Sequence, residues 1–207
     1  DLVVLGVKPQ KASSVLGDEA LASALKGRVL VSICAGLTLA QLDSFLPGAA
    51  LIRAMPNTPC LIGEGMTVLS AGPRATPQQV DVAERIFASV GRTRVLEEKH
   101  LDAVTALSGS GPAFGFVILE SLADGGVMMG LPRDVAVELS AQMMQGAARL
   151  VLQTGAHPAA LKDDVTTPAG CTIAGLLTME DGRVRSTLAR AIQEATNVAA
   201  NLGKSDA

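Results

Sequence analysis

Up to about Glu98 the chain alternates short apolar runs with amphipathic stretches. Leu2-Val3-Val4-Leu5-Gly6-Val7 is continuously apolar, the pattern of a strand buried on both faces, and Lys8-Pro9 stops it. The spacing of Val15, Leu16, Ala20, Leu21 and Leu25 predicts one helix over 10–25. Runs at 28–33, 50–55, 65–70 and 92–96 predict further strands, with helices over 38–45 and 77–90. Thr38 with Gln41 three residues on has the form of a capping box.

Strands alternating with helices imply a mostly parallel α/β sheet. Beyond the boundary the pattern turns helical, over 112–129, 132–154, 158–165, 172–180 and 184–202. Pro112, Pro132 and Pro158 each suit a first helical position, where a missing N–H costs nothing. The predicted fold class is therefore α/β followed by all-α, with domains at 1–98 and 99–207. Glu138, Gln142, Gln145 and Arg149 make one narrow polar stripe, and Arg190, Glu194, Asn197 and Asn201 make another. Stripes this narrow leave most of each helix to be buried, which favours an interlocked oligomer over a lone bundle.

Composition narrows the function classes. The charged fraction is 18%, below the usual quarter, which again suggests surface buried against another subunit. A net charge of −3, four Phe and no Trp or Tyr argue against a nucleic-acid partner. Cys34, Cys60 and Cys171 are too scattered for a disulfide framework or a zinc site, and two histidines without a third partner suggest no metal. No uninterrupted apolar run approaches the roughly 20 residues that span a bilayer, so no membrane is expected. No secretory signal is visible either, and a reducing, cytoplasmic compartment is the default expectation.

Candidate chemistry collects at breaks in the pattern. In parallel sheets ligands bind beyond the carboxyl ends of strands. Three such ends carry sharp turns: Val7-Lys8-Pro9, Cys34-Ala35-Gly36 and Met55-Pro56-Asn57-Thr58-Pro59. Ser108-Gly109-Ser110-Gly111-Pro112 invites a phosphate-loop reading, but it follows the helix-like 101–107 and not a strand. Ser110 or Gly111 is instead expected to cap a helix starting at Pro112. The run Val165-Thr166-Thr167-Pro168-Ala169-Gly170-Cys171-Thr172-Ile173 breaks the helical half and is followed by a new helix. A helix start offers free N–H groups and partial positive charge to a small anion such as a carboxylate.

Taken together, these motifs resemble the pyrroline-5-carboxylate reductase family, from Asp1 to about Leu202. The most specific stretch is 158–180, with Thr166, Thr167, Ala169, Gly170, Thr172, Gly175 and Leu176 at the restricted positions. Val7-Lys8-Pro9, Ala35-Gly36, Met55 to Pro59, Leu107 to Ala113 and Ala123-Asp124-Gly125-Gly126-Val127 also match. The resemblance implies a Rossmann-like NADPH or NADH domain and a helical domain that forms homodimers, often assembling into decamers. It implies reduction of 1-pyrroline-5-carboxylate to L-proline, with Thr172 at the ring nitrogen. Thr167 and the N–H groups of Gly170, Cys171, Thr172 and Ile173 would hold the substrate carboxylate. Val7, Lys8, Pro9 and Ala35 would line the cofactor, Asn57 and Thr58 its nicotinamide end, with Glu98 and Asp164 nearby. The family begins with a strand and a Gly-rich turn that bind the dinucleotide phosphates, and no such motif occurs here from Asp1 onward. Two other readings fit the residues: another imine or β-keto reductase on the same plan, and a non-catalytic helical oligomerisation module.

Overall fold

Five strands line up in one sheet in chain order: β1 (Leu2–Leu5), β2 (Val29–Ser32), β3 (Ala50–Met55), β4 (Gly65–Ala71) and β5 (Gly91–Val95). The computed structural model describes residues 1–202. β1, β2 and β3 are parallel, β4 runs antiparallel to β3, and β5 is parallel to β4. The carboxyl ends of the first three strands therefore share one edge of the sheet. Helices α1 (Pro9–Leu16), α2 (Glu19–Ala24), α3 (Leu39–Phe45) and α4 (Pro77–Ala88) connect them. The chain divides into two compact units, Asp1–Pro112 together with the chain from Ala191 on, and Ala113–Arg190.

Strand alternation sorts the first unit's core. Leu5, Leu30 and Leu51 pack with Leu16 of α1 and Leu42 of α3, whereas Val31, Ile52 and Leu69 pack with Ala83 of α4. Where β3 ends, Met55 and Val68 meet Leu101, which is fully buried. The capping box at the start of α3 is present as expected. The Gln41 amide donates to Thr38 Oγ1 at 3.1 Å, and the Thr38 amide donates to Gln41 Oε1 at 2.9 Å.

Several local expectations are corrected. The helix expected over 10–25 is two helices, because Gly17 ends α1 and the Asp18 carboxylate accepts the Leu21 amide at 3.0 Å to start α2. No cap interrupts the chain at Ser110. A 3₁₀ turn (Glu98–His100), α5 (Leu101–Val104), a π turn (Thr105–Gly109) and α6 (Gly111–Met128) run on as one helical segment. The Ser110 amide donates to the Thr105 carbonyl at 2.8 Å, so the wide turn absorbs it inside the helix. This segment, Glu98–Met128, is long and apolar enough to cross a membrane by length and composition. It is not an unbroken apolar run: Glu98, Lys99 and Asp102 stand at its start, and Glu120 and Asp124 interrupt the rest. Pro132 stands at the cap of α7 with an extended ψ of 144°, one residue before the helix proper.

The second unit is built from the rest of α6, α7 (Arg133–Thr154), α8 (Pro158–Asp164), α9 (Cys171–Asp181) and the start of α10 (Val184–Leu202). Within it only Ala123, Ala136 and Ser140 are buried. Phe116, Val117, Met128, Leu139, Leu152 and Leu177 stay exposed, Met128 to 81%. These helices do not make a core of their own within one chain.

Candidate active site

The candidate residues fall into two sets, one on each unit. The first lies along the sheet edge where β1, β2 and β3 end. Lys8 caps α1 in extended conformation, with Pro9 as the first helical residue. Its ammonium is exposed and makes no ion pair among the described residues. One turn further along the edge, Cys34 fastens the end of β2. Its amide donates to Ser32 Oγ at 3.3 Å, and its thiol donates to the Val7 carbonyl at 3.2 Å. Burial pushes the Cys34 thiol up from its ordinary value. Ala35 follows, and Gly36 turns the chain with φ 77°, a conformation that favours glycine.

Asn57 and Glu98 are already committed to the protein. Asn57 Oδ1 accepts the Met66 amide at 2.9 Å, while its Nδ2 donates to Ser108 O and Oγ at 3.3 and 3.2 Å. It thus ties the loop after β3 to both β4 and the π turn. Thr58 opens the exposed 3₁₀ turn Thr58–Ile62. Glu98 Oε1 accepts the Leu39 amide at 2.6 Å and Arg53 NH1 at 2.8 Å. Arg53 and Ser108 were not singled out as site residues in the sequence. The signal for Arg53 was present: an arginine inside the buried run Ala50-Leu51-Ile52-Arg53-Ala54-Met55 must find a partner.

The second set surrounds the start of α9. Thr166 closes α8, its amide bonded to Asp163 O at 2.9 Å and its hydroxyl to Lys162 O at 2.6 Å. Ala169 is held at φ 55°, a strained conformation for a residue with a side chain. Gly170, the residue before α9, could not carry a Cβ without overlapping the Thr167 hydroxyl. No side chain caps α9. Thr172 stands half-buried in its first turn, and its hydroxyl has no hydrogen-bond partner among the described residues. Cys171, Thr167 and Asp164 are exposed, as is Ile173. Here a hydroxyl and unclaimed helix N–H groups converge, a donor set for a small carboxylate.

Other groups play local parts. His157 caps α8, its Nδ1 accepting the Ala159 amide at 3.2 Å. Among the described residues no three metal-ligating side chains cluster. Clefts of about 240–270 Å³ lie beside α3, beside α2, and where the starts of β1 and β2 meet α4.

The chain is similar to known proteins over nearly its whole length. The family model for pyrroline-5-carboxylate reductase dimerisation matches residues 98–202. The chain is 50% identical over 205 residues to the pyrroline-5-carboxylate reductase of Schizosaccharomyces pombe, covering 99% of this chain and 72% of that protein. It is similar in structure to the Plasmodium falciparum pyrroline carboxylate reductase with NADP bound, with TM-score 0.90 and 33% identity over 98% of this chain and 77% of that one. The pyrroline-5-carboxylate reductase of Coxiella burnetii superimposes with the same TM-score, 0.90, at 34% identity, covering 96% of this chain and 74% of that one.

Proposed function

The chain belongs to the pyrroline-5-carboxylate reductase family, and from that premise we propose that it reduces 1-pyrroline-5-carboxylate to L-proline with NADPH or NADH. The observation that carries this reading is the first turn of α9. It is uncapped, it follows a strained turn at Ala169, and it presents the unbonded hydroxyl of Thr172.

The substrate ring carries a C=N bond and a carboxylate. The N–H groups of Cys171, Thr172 and Ile173, with the Thr167 hydroxyl, bind the carboxylate at the positive end of the helix; the Gly170 N–H, expected among these donors, instead donates to the Thr167 carbonyl at 3.2 Å. Thr172 serves the ring nitrogen at both stages of the reaction. Its oxygen accepts from the N–H of the protonated imine, and its O–H donates to the lone pair that develops as the amine forms. A cyclic imine is basic enough to arrive protonated, so orientation matters more than a strong acid.

The dinucleotide, when bound, supplies the hydride that adds to the C=N carbon. The sheet edge fits such a group: an exposed Lys8 ammonium, the uncapped start of α1 and the pinned loop around Ala35 suit a phosphate-bearing ligand. Val7, Lys8, Pro9 and Ala35 line it, Asn57 and Thr58 stand at the nicotinamide end, and Glu98 and Asp164 lie beside it. In this reading residues 1–98 are the later part of the dinucleotide domain, and 99–207 the substrate and dimerisation domain. We extend the reading to two further properties: assembly of homodimers into decamers and a cytoplasmic location.

The test is steady-state turnover of the full-length protein. NADPH or NADH oxidation should require pyrroline-5-carboxylate, Thr172→Ala should lower kcat at least tenfold, and Thr172→Ser should recover most of it. Full activity in Thr172→Ala, or equal turnover of acyclic β-keto acids, would overturn the reading.

A further inference from the structure

We propose that Arg53 is a positioning residue for the cofactor loop, acting through Glu98 on the amino end of α3. The proposal rests on the dinucleotide reading above and concerns only residues of the first unit.

Arg53 is 4% exposed, and Glu98 is the one carboxylate that the described residues place against it, at 2.8 Å. The arginine sits in a polar row across the sheet, since Ser32 and Ser70 face it in register on β2 and β4 and are themselves buried. A buried guanidinium cannot stay charged without compensation, so it holds Glu98 in place. The same Glu98 oxygen, Oε1, takes the Leu39 amide at 2.6 Å. Leu39 is the first residue of α3, directly after the Thr38 cap.

The consequence concerns the loop over 33–38. It carries Ala35 and contains the left-handed Gly36. At its entry it is fixed by the Cys34 amide on Ser32 and the Cys34 thiol on the Val7 carbonyl. At its exit it is fixed by Thr38 with Gln41 and by Glu98 on Leu39. Arg53 is thus the buried anchor of the loop's second attachment. Without it Glu98, 33% exposed, turns to solvent and the exit of the loop is released.

A double-mutant cycle in the full-length protein tests this, with amide exchange of the 37–42 segment and fluorescence titration of NADPH as readouts. Arg53→Met and Glu98→Ala should each speed exchange at Leu39 and raise the NADPH Kd about tenfold, with kcat falling less than KM rises. Because both act through one contact, Arg53→Met/Glu98→Ala should bind NADPH no worse than Glu98→Ala and should be more stable than it. Arg53→Lys, which keeps the charge, should restore most of the affinity and of the exchange protection. If Arg53→Met does not fold, the cycle run with Arg53→Gln, which removes the charge but keeps a polar head, should show the same non-additivity.

Two results would overturn the proposal. One is multiplied Kd losses in the double variant, which would make Glu98 an independent cofactor contact. The other is faster exchange at Leu39 with unchanged NADPH affinity. A wild-type protein that binds NADPH but does not turn over pyrroline-5-carboxylate would instead defeat the substrate reading and leave the cycle interpretable.

Discussion

Gly170 does at the scale of one residue what the site needs from its loop. Its missing side chain lets Thr167 fold back against the start of α9, where a Cβ would overlap the hydroxyl. Gly170→Ala should push Thr167 off the first turn and raise the KM for pyrroline-5-carboxylate about tenfold, roughly one charge-assisted hydrogen bond. A KM within twofold of wild type would show that the turn can relax without cost. Cys34 is the second residue with a measurable signature. Burial raises its folded pKa above the unfolded value, which is about 9. Below that value both states keep the proton and nothing is lost. As pH climbs from there towards the folded value the unfolded chain sheds its proton first, so stability falls with pH in that window. Urea midpoints at pH 7, 9 and 10 should decline more for wild type than for Cys34→Ser, which retains a donor to the Val7 carbonyl. Parallel declines would remove Cys34 as the source.

Among the elements, α3 and α4 offer a controlled comparison, because both begin with a complete Thr/Gln capping box. Thr38→Ala and Thr76→Ala should each cost about 1 kcal/mol in denaturant titrations. Only Thr38→Ala should also weaken NADPH binding, since α4 carries none of the candidate residues; equal effects would detach the cap from the loop. The π turn depends on Asn57, whose loss leaves the Met66 amide without its acceptor and Ser108 without its donor. Asn57→Ala should cost about 2 kcal/mol, and Asn57→Asp, which keeps the acceptor, about half of that. These elements also mark where sequence stops being informative. The strands, the α3 cap and the break before Thr172 announce themselves through apolar runs, a Thr-x-x-Gln spacing and a Pro/Gly interruption. The π turn leaves no such trace, because 101–107 keeps helical spacing and the extra residue is held by an asparagine 51 positions away. The Arg53–Glu98 pair spans 45 positions and is set by tertiary packing alone. The split between α1 and α2 is hidden differently, since apolar spacing continues across Gly17 and Asp18.

For the whole molecule, the helical unit decides how the protein must exist. Burying a Leu, Val or Phe side chain is worth roughly 1.5–3 kcal/mol, yet Phe116, Val117, Leu139, Leu152 and Leu177 remain exposed in the single chain. The unit buries two alanines and a serine, far too little to offset the entropy of ordering its helices. A second copy supplies what is lacking, consistent with the match of residues 98–202 to the family's dimerisation model. The polar stripe of Glu138, Gln142, Gln145 and Arg149 then marks the side of α7 left to water. Stability should accordingly be inseparable from protomer concentration, with Tm rising as the protein is concentrated. Leu139→Lys, on the apolar side of α7, should lower Tm and shift sedimentation towards the monomer, while Gln142→Lys on the stripe should do neither. A wild-type protein that sediments as a monomer with a concentration-independent Tm would mean that the exposed apolar helices are stable as they stand, and the dimeric reading would fail with them.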